Sequence, residues 1–354
     1  MPGQGMVGER DRLTFIDVAR GWALVLMVVN HTARYWIDDS LGAARTALIH
    51  LTTTLAGPSF LFLVGFVLPL SWAQARHRVA KYLVRAAQLV LAGYFLNAVV
   101  FPEQPLLASN VLHTIAGATL AGLLVLPWLD RPGARPAVAG IAVTWTAAFW
   151  LMLPGIERWV ADHPRAGLVL FSEFPLWPWL GMVLLGIVAG SARRTMPRPA
   201  HLMVALGAAG AAGVLGAMAC WWYDPKALTF TRDVVINGHW VPRGAMVAWV
   251  LGAAAASLAA AWWLTDVVGL KLRWLVVLGR TALALYVLHH LLVVNLVQRA
   301  LGVRLAGWGE FWAATAGLIA ALVVVGMAWL ALRSAARRER RRWQAPAAAR
   351  PVEP

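Results

Sequence analysis

Apolar residues run along this chain in stretches of about twenty, separated by short polar connections rich in arginine, proline and glycine. At about 1.5 Å rise per residue, a helix of that length crosses a hydrocarbon core of about 30 Å. Ten such segments are predicted, over 14–34, 49–72, 79–100, 106–128, 136–154, 173–192, 200–222, 244–266, 273–297 and 311–332. The expected fold is all-α, a polytopic membrane bundle of about ten transmembrane helices. Residues 1–13 form a short leading segment, 14–332 the transmembrane domain, and 333–354 a basic, Ala/Pro-rich tail.

The charges in the connections test this count. With the N-terminus in the cytoplasm, 19 of the 31 Lys and Arg fall in inner segments, 9 in outer segments and 3 within spans. Arg193, Arg194 and Arg198 mark one inner connection and seven arginines follow Leu332, whereas the outer side has scattered residues such as Arg158 and Arg165. The bias supports ten spans with both termini cytoplasmic. Adding or removing one span would scramble the alternation. The longest outer connections, 155–172 and 223–243, are the expected sites of a lid or acceptor surface.

Composition agrees. Of 354 residues, 60% are hydrophobic and 13% charged, about half the charge of a soluble domain. Twenty tryptophans fit aromatic belts at the two interfaces. Cys220 is the sole cysteine, so neither an intrachain disulfide nor a cysteine metal cluster is expected. The net charge of +15 follows from the positive-inside pattern, and no soluble domain offers a nucleic-acid surface. The first apolar segment has no small-residue cleavage site after it and reads as a retained helix. The Ala/Arg-rich character points to a multi-pass protein of a bacterial plasma membrane.

The spans carry polar residues that a lipid-facing helix would avoid. The first reads Asp17-Val-Ala-Arg20-Gly21 and ends Asn30-His31. Arg20 and His31 are eleven residues apart, on one helix face and separated by about 16 Å along the axis. Ionisable groups at that depth line polar cavities or substrate paths. A conduit is therefore expected, with a cation near one surface and a titratable base nearer the other. Asp17 and Arg20 either fix the helix end as an i, i+3 pair or form an anion site. His31 either bonds a neighbouring helix or acts as general base, with Asn30 orienting it or meeting an oxyanion. In the second span, Gly57-Pro58 either kinks the helix for packing, with Gly65 at a close crossing, or opens backbone to a cavity.

Lys81 and Arg85, four apart at the start of the third span, are either an ordinary basic helix end or, with Arg20, a basic mouth for a polyphosphate. Asn110-Val-Leu-His113 places a second histidine near the level of His31. Glu173, before Phe-Pro-Leu-Trp177-Pro, caps the sixth span. The ninth span carries Gly279-Arg280 and then Tyr286, His289 and His290 on one face. No metal site is expected, because adjacent histidines diverge by about 100° and no Asp, Glu or Cys lies at ligand spacing.

Together these segments resemble the polytopic membrane acyltransferases, a superfamily that includes the acyltransferase-3 and heparan-α-glucosaminide N-acetyltransferase-like proteins. The resemblance rests on Asp17-x-x-Arg20-Gly21 with Asn30-His31, on Gly57-Pro-Ser-Phe-Leu-Phe-Leu-Val-Gly65, on Asn110-Val-Leu-His113, on Pro178-Trp-Leu-Gly-Met-Val-Leu-Leu-Gly186 and on Leu278-Gly279-Arg280 followed by Tyr286 and His289. The ordered set covers five of the ten predicted spans. It implies transfer of an acyl group, usually acetyl, from cytoplasmic acyl-CoA to a hydroxyl or amine of a sugar or glycan acceptor. His31 is then the catalytic base beside Asn30. Arg20, Lys81 and Arg85 meet acyl-CoA, and Asp17, His113, Glu173, Arg280, Tyr286 and His289 support the site. Acyl-CoA is a co-substrate, and no permanently bound cofactor is expected. The partners expected are the bilayer, acyl-CoA and the glycan, with oligomeric state left open. The rival reading is a transporter of a small or lipid-linked anion. It calls for inverted repeats, and the chain shows no second copy of the Arg20–His31 segment.

The topology gives a first prediction. A fluorescent protein fused after Pro354 will fluoresce and alkaline phosphatase fused there will be inactive; the reverse pattern would overturn the assignment of the C-terminus to the cytoplasm.

Overall fold

The computed structural model describes residues 13–75, 79–171, 174–224, 230–231, 241–242 and 244–344. Twelve α-helices carry the described fold: α1 Thr14–Trp36, α2 Gly42–Ala75, α3 Val79–Val99, α4 Val111–Val125, α5 Ala134–Asp162, α6 Pro164–Leu170, α7 Leu176–Thr195, α8 Pro199–Tyr223, α9 Ala245–Trp262, α10 Arg273–Arg280, α11 Ala282–His290 and α12 Trp308–Gln344. Wider π-helical turns extend α9 over Trp263–Val267 and α11 over Leu291–Ala300. A two-residue antiparallel pair, Phe230–Thr231 with Val241–Pro242, is the one sheet among the described residues.

Nine helices among the described residues are long and apolar enough to cross a membrane. They include α2, α3, α5, α7, α8 and α12, together with α4, α9 and α11 taken with their continuations. Their outer faces keep large apolar side chains exposed, such as Leu151 at 83% and Trp222 at 81%. Such an envelope calls for lipid rather than water. The protein is a multi-pass membrane protein of the all-α class.

The remaining predicted span is α1. Its 23 residues are long enough to cross, yet it is the most polar of the set. It lies inside the bundle, packed on α2, α9, α10 and α12. Phe15, Ala23, Leu24 and Ala33 have no exposed surface, and Asp17, Asn30 and Thr32 are buried with them. Asp17 in its first turn and Arg34 in its last complement the helix dipole. Beyond it, the Asp38 N–H donates to Leu305 O at 3.0 Å and the Leu305 N–H to Trp36 O at 2.7 Å, which ties the start of α12's lead-in to the end of α1.

Two seams bring backbones together. A Cβ on Gly21 would strike the Leu275 carbonyl and one on Gly279 the Asp17 carbonyl, so α1 and α10 touch along their main chains. Likewise Gly65 of α2 faces Val183 O of α7, while Gly186 and Gly190 face Phe62 O and Phe66 O. Small residues permit this approach, which drives helix association where water is absent. Gly65 is thus at the close crossing expected of it. α2 runs unbroken through Pro58 and Pro69.

Several boundaries differ from the sequence reading. The ninth predicted span is broken at Thr281, whose Oγ1 donates back to Val277 O at 2.7 Å. α10 buries Leu275, Leu278 and Gly279 but exposes Arg273 and Arg280, so it is amphipathic, while α11 is apolar. That change of pattern, with a back-bonded threonine, divides what apolar run length alone reads as one helix. The fourth helix begins at Val111 rather than 106, because Asn110 caps it. Residues 155–162 and 164–170 are helical, as the end of α5 and α6, with only His163 between them. α12 continues through the basic run as far as Gln344, so residues 333–344 extend a helix, and Arg333 sits 5.0 Å over the Trp329 ring. Most of 223–243 lies outside the described residues, as do Arg76, Arg78 and Glu173.

Gly186→Leu will therefore destabilise the protein by about 1–3 kcal/mol, read as a lower thermal midpoint in nanodiscs. Gly140→Leu, which meets open space, will leave the midpoint in place. Equal midpoints would show that the α2–α7 seam does not hold the bundle.

Candidate active site

Three imidazoles meet where the C-terminal end of α1 reaches α11. His31 Nδ1 lies 2.9 Å from His289 Nε2, with the rings stacked at 20° and centroids 5.2 Å apart. The His290 ring is 4.3 Å from His31 and 4.1 Å from His289. Neighbouring helical residues start about 100° apart, yet both rings converge on α1. Each folds back toward its own preceding turn, with His289 Nδ1 at 3.1 Å from Leu285 O and His290 Nδ1 at 2.8 Å from Tyr286 O. Tyr286 closes on His290 at 4.7 Å between centroids.

The cluster borders a cavity of about 150 Å³. His31, Arg34 and Tyr35 of α1 form one wall and Tyr286 and His290 of α11 another; Thr53 and Gly57 of α2 belong to a third. Gly57 thus faces the cavity, while Phe174 stacks near the position its Cβ would take. A void of this size takes a molecule about as large as benzene. It has room for an acetyl thioester end and a hydroxyl, and none for a nucleotide or a long acyl chain.

The remaining wall is the turn between α3 and α4, including Phe101, Gln104 and Asn110. Asn97, 1% exposed, donates to Leu106 O at 3.0 Å and Ala108 O at 2.7 Å, and accepts from Asn110 Nδ2 at 3.0 Å. Asn110 Oδ1 accepts from the Leu112 N–H at 3.0 Å, while the Asn110 N–H donates to His113 Nδ1 at 3.1 Å. This is the reciprocal cap of a helix start. His113 therefore serves the α4 terminus, with its ring against Gly93 and Tyr94, and is not in the cavity wall. At the C-terminal end of α3, Asn295 from the continuation of α11 donates to Val99 O at 2.9 Å, and Arg299 donates to Val100 O at 2.7 Å and to Glu103 at 2.9 Å.

Asn30 lines the cavity, but its amide nitrogen faces α2, at 2.9 Å from Ile49 O, 2.9 Å from Thr52 Oγ1 and 2.7 Å from Thr53 Oγ1. An amide has two hydrogens, so these three acceptors saturate it. Asn30 fastens α1 to α2 one residue before His31.

The Arg20 end is different. Arg20 donates to Asp17 Oδ1 at 3.1 Å and to Gly279 O at 3.4 Å, and it does not line the cavity. The half of α1 between Phe15 and Leu24 is close-packed core against α10. Among the described residues, the cavity at His31 does not extend along α1 to Arg20, so the expected conduit is not seen between them. Lys81 and Arg85 are exposed on α3, which packs on α4 and not alongside α1, so the cavity gathers none of the three cations expected to meet a polyphosphate. Arg280 is exposed at the end of α10. Glu173 lies outside the described residues. The sequence reading named His31, Asn30, His289 and Tyr286 around this site. It missed Arg34, Tyr35, Asn97, Gln104, Phe174 and the contribution of His290. Arg34 and Tyr35 had a readable signal, one turn beyond His31 on α1; the loop residues had none.

The histidines also change the metal question. One nitrogen from each of His31, His289 and His290 lies within 4.8 Å of the others, a set able to hold a metal ion. The exclusion drawn from α11 alone lacked the third donor, which α1 supplies.

Fold and site define an integral membrane protein with a small polar chamber, walled by histidine, amide and aromatic side chains, at one end of a buried polar helix. The sequence matches the family model for the catalytic region of heparan-alpha-glucosaminide N-acetyltransferase over residues 12–220, more than half of the chain. The chain belongs to that family of acetyltransferases. The match takes in α1 to α8, hence His31 and the cavity walls from α1 to α4, and ends before α11. No curated protein matches the chain.

Because Asn97 satisfies the carbonyls that shape one cavity wall, Asn97→Ala will cost about 1–3 kcal/mol of stability. Amide exchange over 101–110 will rise while that of α12 holds. Unchanged exchange in the turn would show that Asn97 does not set that wall.

Proposed function

We propose that this protein transfers an acetyl group from acyl-CoA to a hydroxyl or amine of a sugar or glycan, with His31 as general base. The observation that carries the reading is the place of His31. It lies in the wall of an acetyl-sized chamber, backed by a second imidazole, in a chain of an acetyltransferase family. In the reaction, the acceptor oxygen or nitrogen attacks the thioester carbonyl carbon. The new C–O or C–N bond forms, and the C–S bond breaks. His31 takes the acceptor proton and returns it to the departing CoA thiolate.

The oxyanion needs a donor in the cavity wall. Asn30 is saturated by α2, so its role in this reading is to hold α1 in register. Arg34 lies three residues beyond His31 on the same face and in the same wall, and its guanidinium meets the developing charge. Arg20, engaged with Asp17 and Gly279, anchors α1 to α10. Lys81 and Arg85 are exposed at the opposite end of α3, at the other membrane surface from the chamber, and take no part in this step. The positive-inside bias puts that surface in the cytoplasm and the His31 end toward the outer face, which suits a glycan acceptor arriving from outside.

In nanodiscs supplied with radiolabelled acetyl-CoA and a panel of mono- and oligosaccharides, the wild-type protein will label a sugar. His31→Ala will lower the rate about 10²–10⁴-fold with an unchanged elution profile. Wild-type rates in His31→Ala would remove it as the base. Movement of a sugar or anion across the bilayer without any labelling would favour the transporter.

A further inference from the structure

We propose that His289 is a positioning residue that fixes the tautomer of His31, so that Nε2 of His31 is the atom that takes the proton. The proposal rests on the reading of His31 as the base and adds the group that prepares it.

The argument is a chain of acceptors. A neutral imidazole has one N–H and one lone-pair nitrogen. His289 Nδ1 lies 3.1 Å from Leu285 O, and a carbonyl only accepts, so Nδ1 of His289 carries the hydrogen. Its Nε2 is then a lone pair. That lone pair faces His31 Nδ1 at 2.9 Å, so His31 must donate from Nδ1. The second nitrogen of His31, Nε2, is left without a hydrogen. The hydrogen bond made by one ring nitrogen thus sets the state of the other.

Position supports the assignment. His289 has no exposed surface and is not in the cavity wall, whereas His31 and His290 are. It therefore stands behind His31 and has no access to substrate. It occupies the place that a carboxylate takes behind a catalytic histidine elsewhere. Here the acceptor is neutral, which avoids burying an anion among apolar helices. After His31 accepts the acceptor's proton, its Nδ1–H remains on the His289 lone pair. Leu285 O cannot take the Nδ1 hydrogen of His289, so no proton passes further. Only the acceptor-to-His31 proton moves.

A metal held by the same three rings through Nδ1 of His31, the nitrogen nearest His289, would need the opposite state. Its bond to His31 Nδ1 would use a lone pair there, not a hydrogen. The tautomer therefore separates the two arrangements.

The test uses the full chain in lipid nanodiscs with ¹⁵N-labelled histidine and solid-state NMR. The His31 signals are identified by their loss in His31→Ala. The wild-type protein is expected to show His31 protonated at Nδ1 and bare at Nε2, with substoichiometric metal by elemental analysis. His289→Leu keeps the bulk but removes the acceptor, and His31 will move toward the Nε2–H form. In labelled transfer, His289→Leu will lower kcat about a hundredfold with KM for acetyl-CoA unchanged. His289→Gln, whose side-chain oxygen still accepts, will recover most of that loss. An Nε2–H His31 in the wild type, one bound metal per chain, or a glutamine variant no better than leucine would each overturn the proposal. The wild-type spectrum decides even if His289→Leu fails to fold. If His31→Ala keeps its activity while the spectrum shows the expected tautomer, the base reading fails and the positioning contact stands.

Discussion

Hydrogen bonding without water is the constraint on which this structure depends. In a bilayer, a buried polar group has only its neighbours to satisfy it. α1 carries more such groups than any lipid-facing helix could hold, and nearly every one is answered from another helix. Arg20 reaches Asp17 and the α10 carbonyl of Gly279. Asn30 is held by α2, His31 by α11, Thr32 by Thr315 of α12 at 3.1 Å, and Trp36 by Val293 O at 3.0 Å. The neighbours of α1 are therefore chosen by polar complementarity as much as by shape. The same requirement places α1 inside the bundle.

Close packing then divides that helix into two halves with different uses. Gly21 and Gly279 let α1 and α10 meet backbone to backbone, which leaves no space between the two helices in the Arg20 half. At the other end, the turn between α3 and α4 is held off α1 by the Asn97–Asn110 network, and large rings, Phe101, Phe174 and Tyr286, line the gap without filling it. The chamber sits where small residues give way to capped loop and aromatic rings. The cavity is confined to one end because the opposite end is core.

The break at Thr281 connects these halves. Gly279 touches α1 at Asp17, and His289, ten residues on, touches it at His31, fourteen residues on. A change from amphipathic α10 to apolar α11, followed by wider π-helical turns, lets one stretch of chain serve both contacts. Much of this was legible beforehand. The spans α2 to α9 stand close to where apolar runs place them. Asp17 pairs with Arg20 as the three-residue spacing requires, and Gly65 lies at a close crossing. Apolar Leu106 and Leu107 prolong the run toward the N-terminus, while Asn97, from another helix, holds the Leu106 and Ala108 carbonyls outside α4. The last span ends at Leu332 by apolar run length and a basic tail follows it, yet α12 continues through the basic run, since arginine is a good helix former.

The sequence by itself determined the class of fold, the near number of spans, and the identity of α1 as a helix with unusually many polar groups. Run length, charge bias and helical spacing are local properties, and the bilayer makes them decisive. Only the tertiary structure decided which polar groups are structural and which face a chamber. Asn30 and His113 became fasteners, Arg20 an anchor, and His290 a wall. It also brought His289 to His31 across 258 positions of chain, where one imidazole ends up as the hydrogen-bond partner of the other. That outcome depends on where another helix presents its lone pairs, and no periodicity within a single segment encodes it.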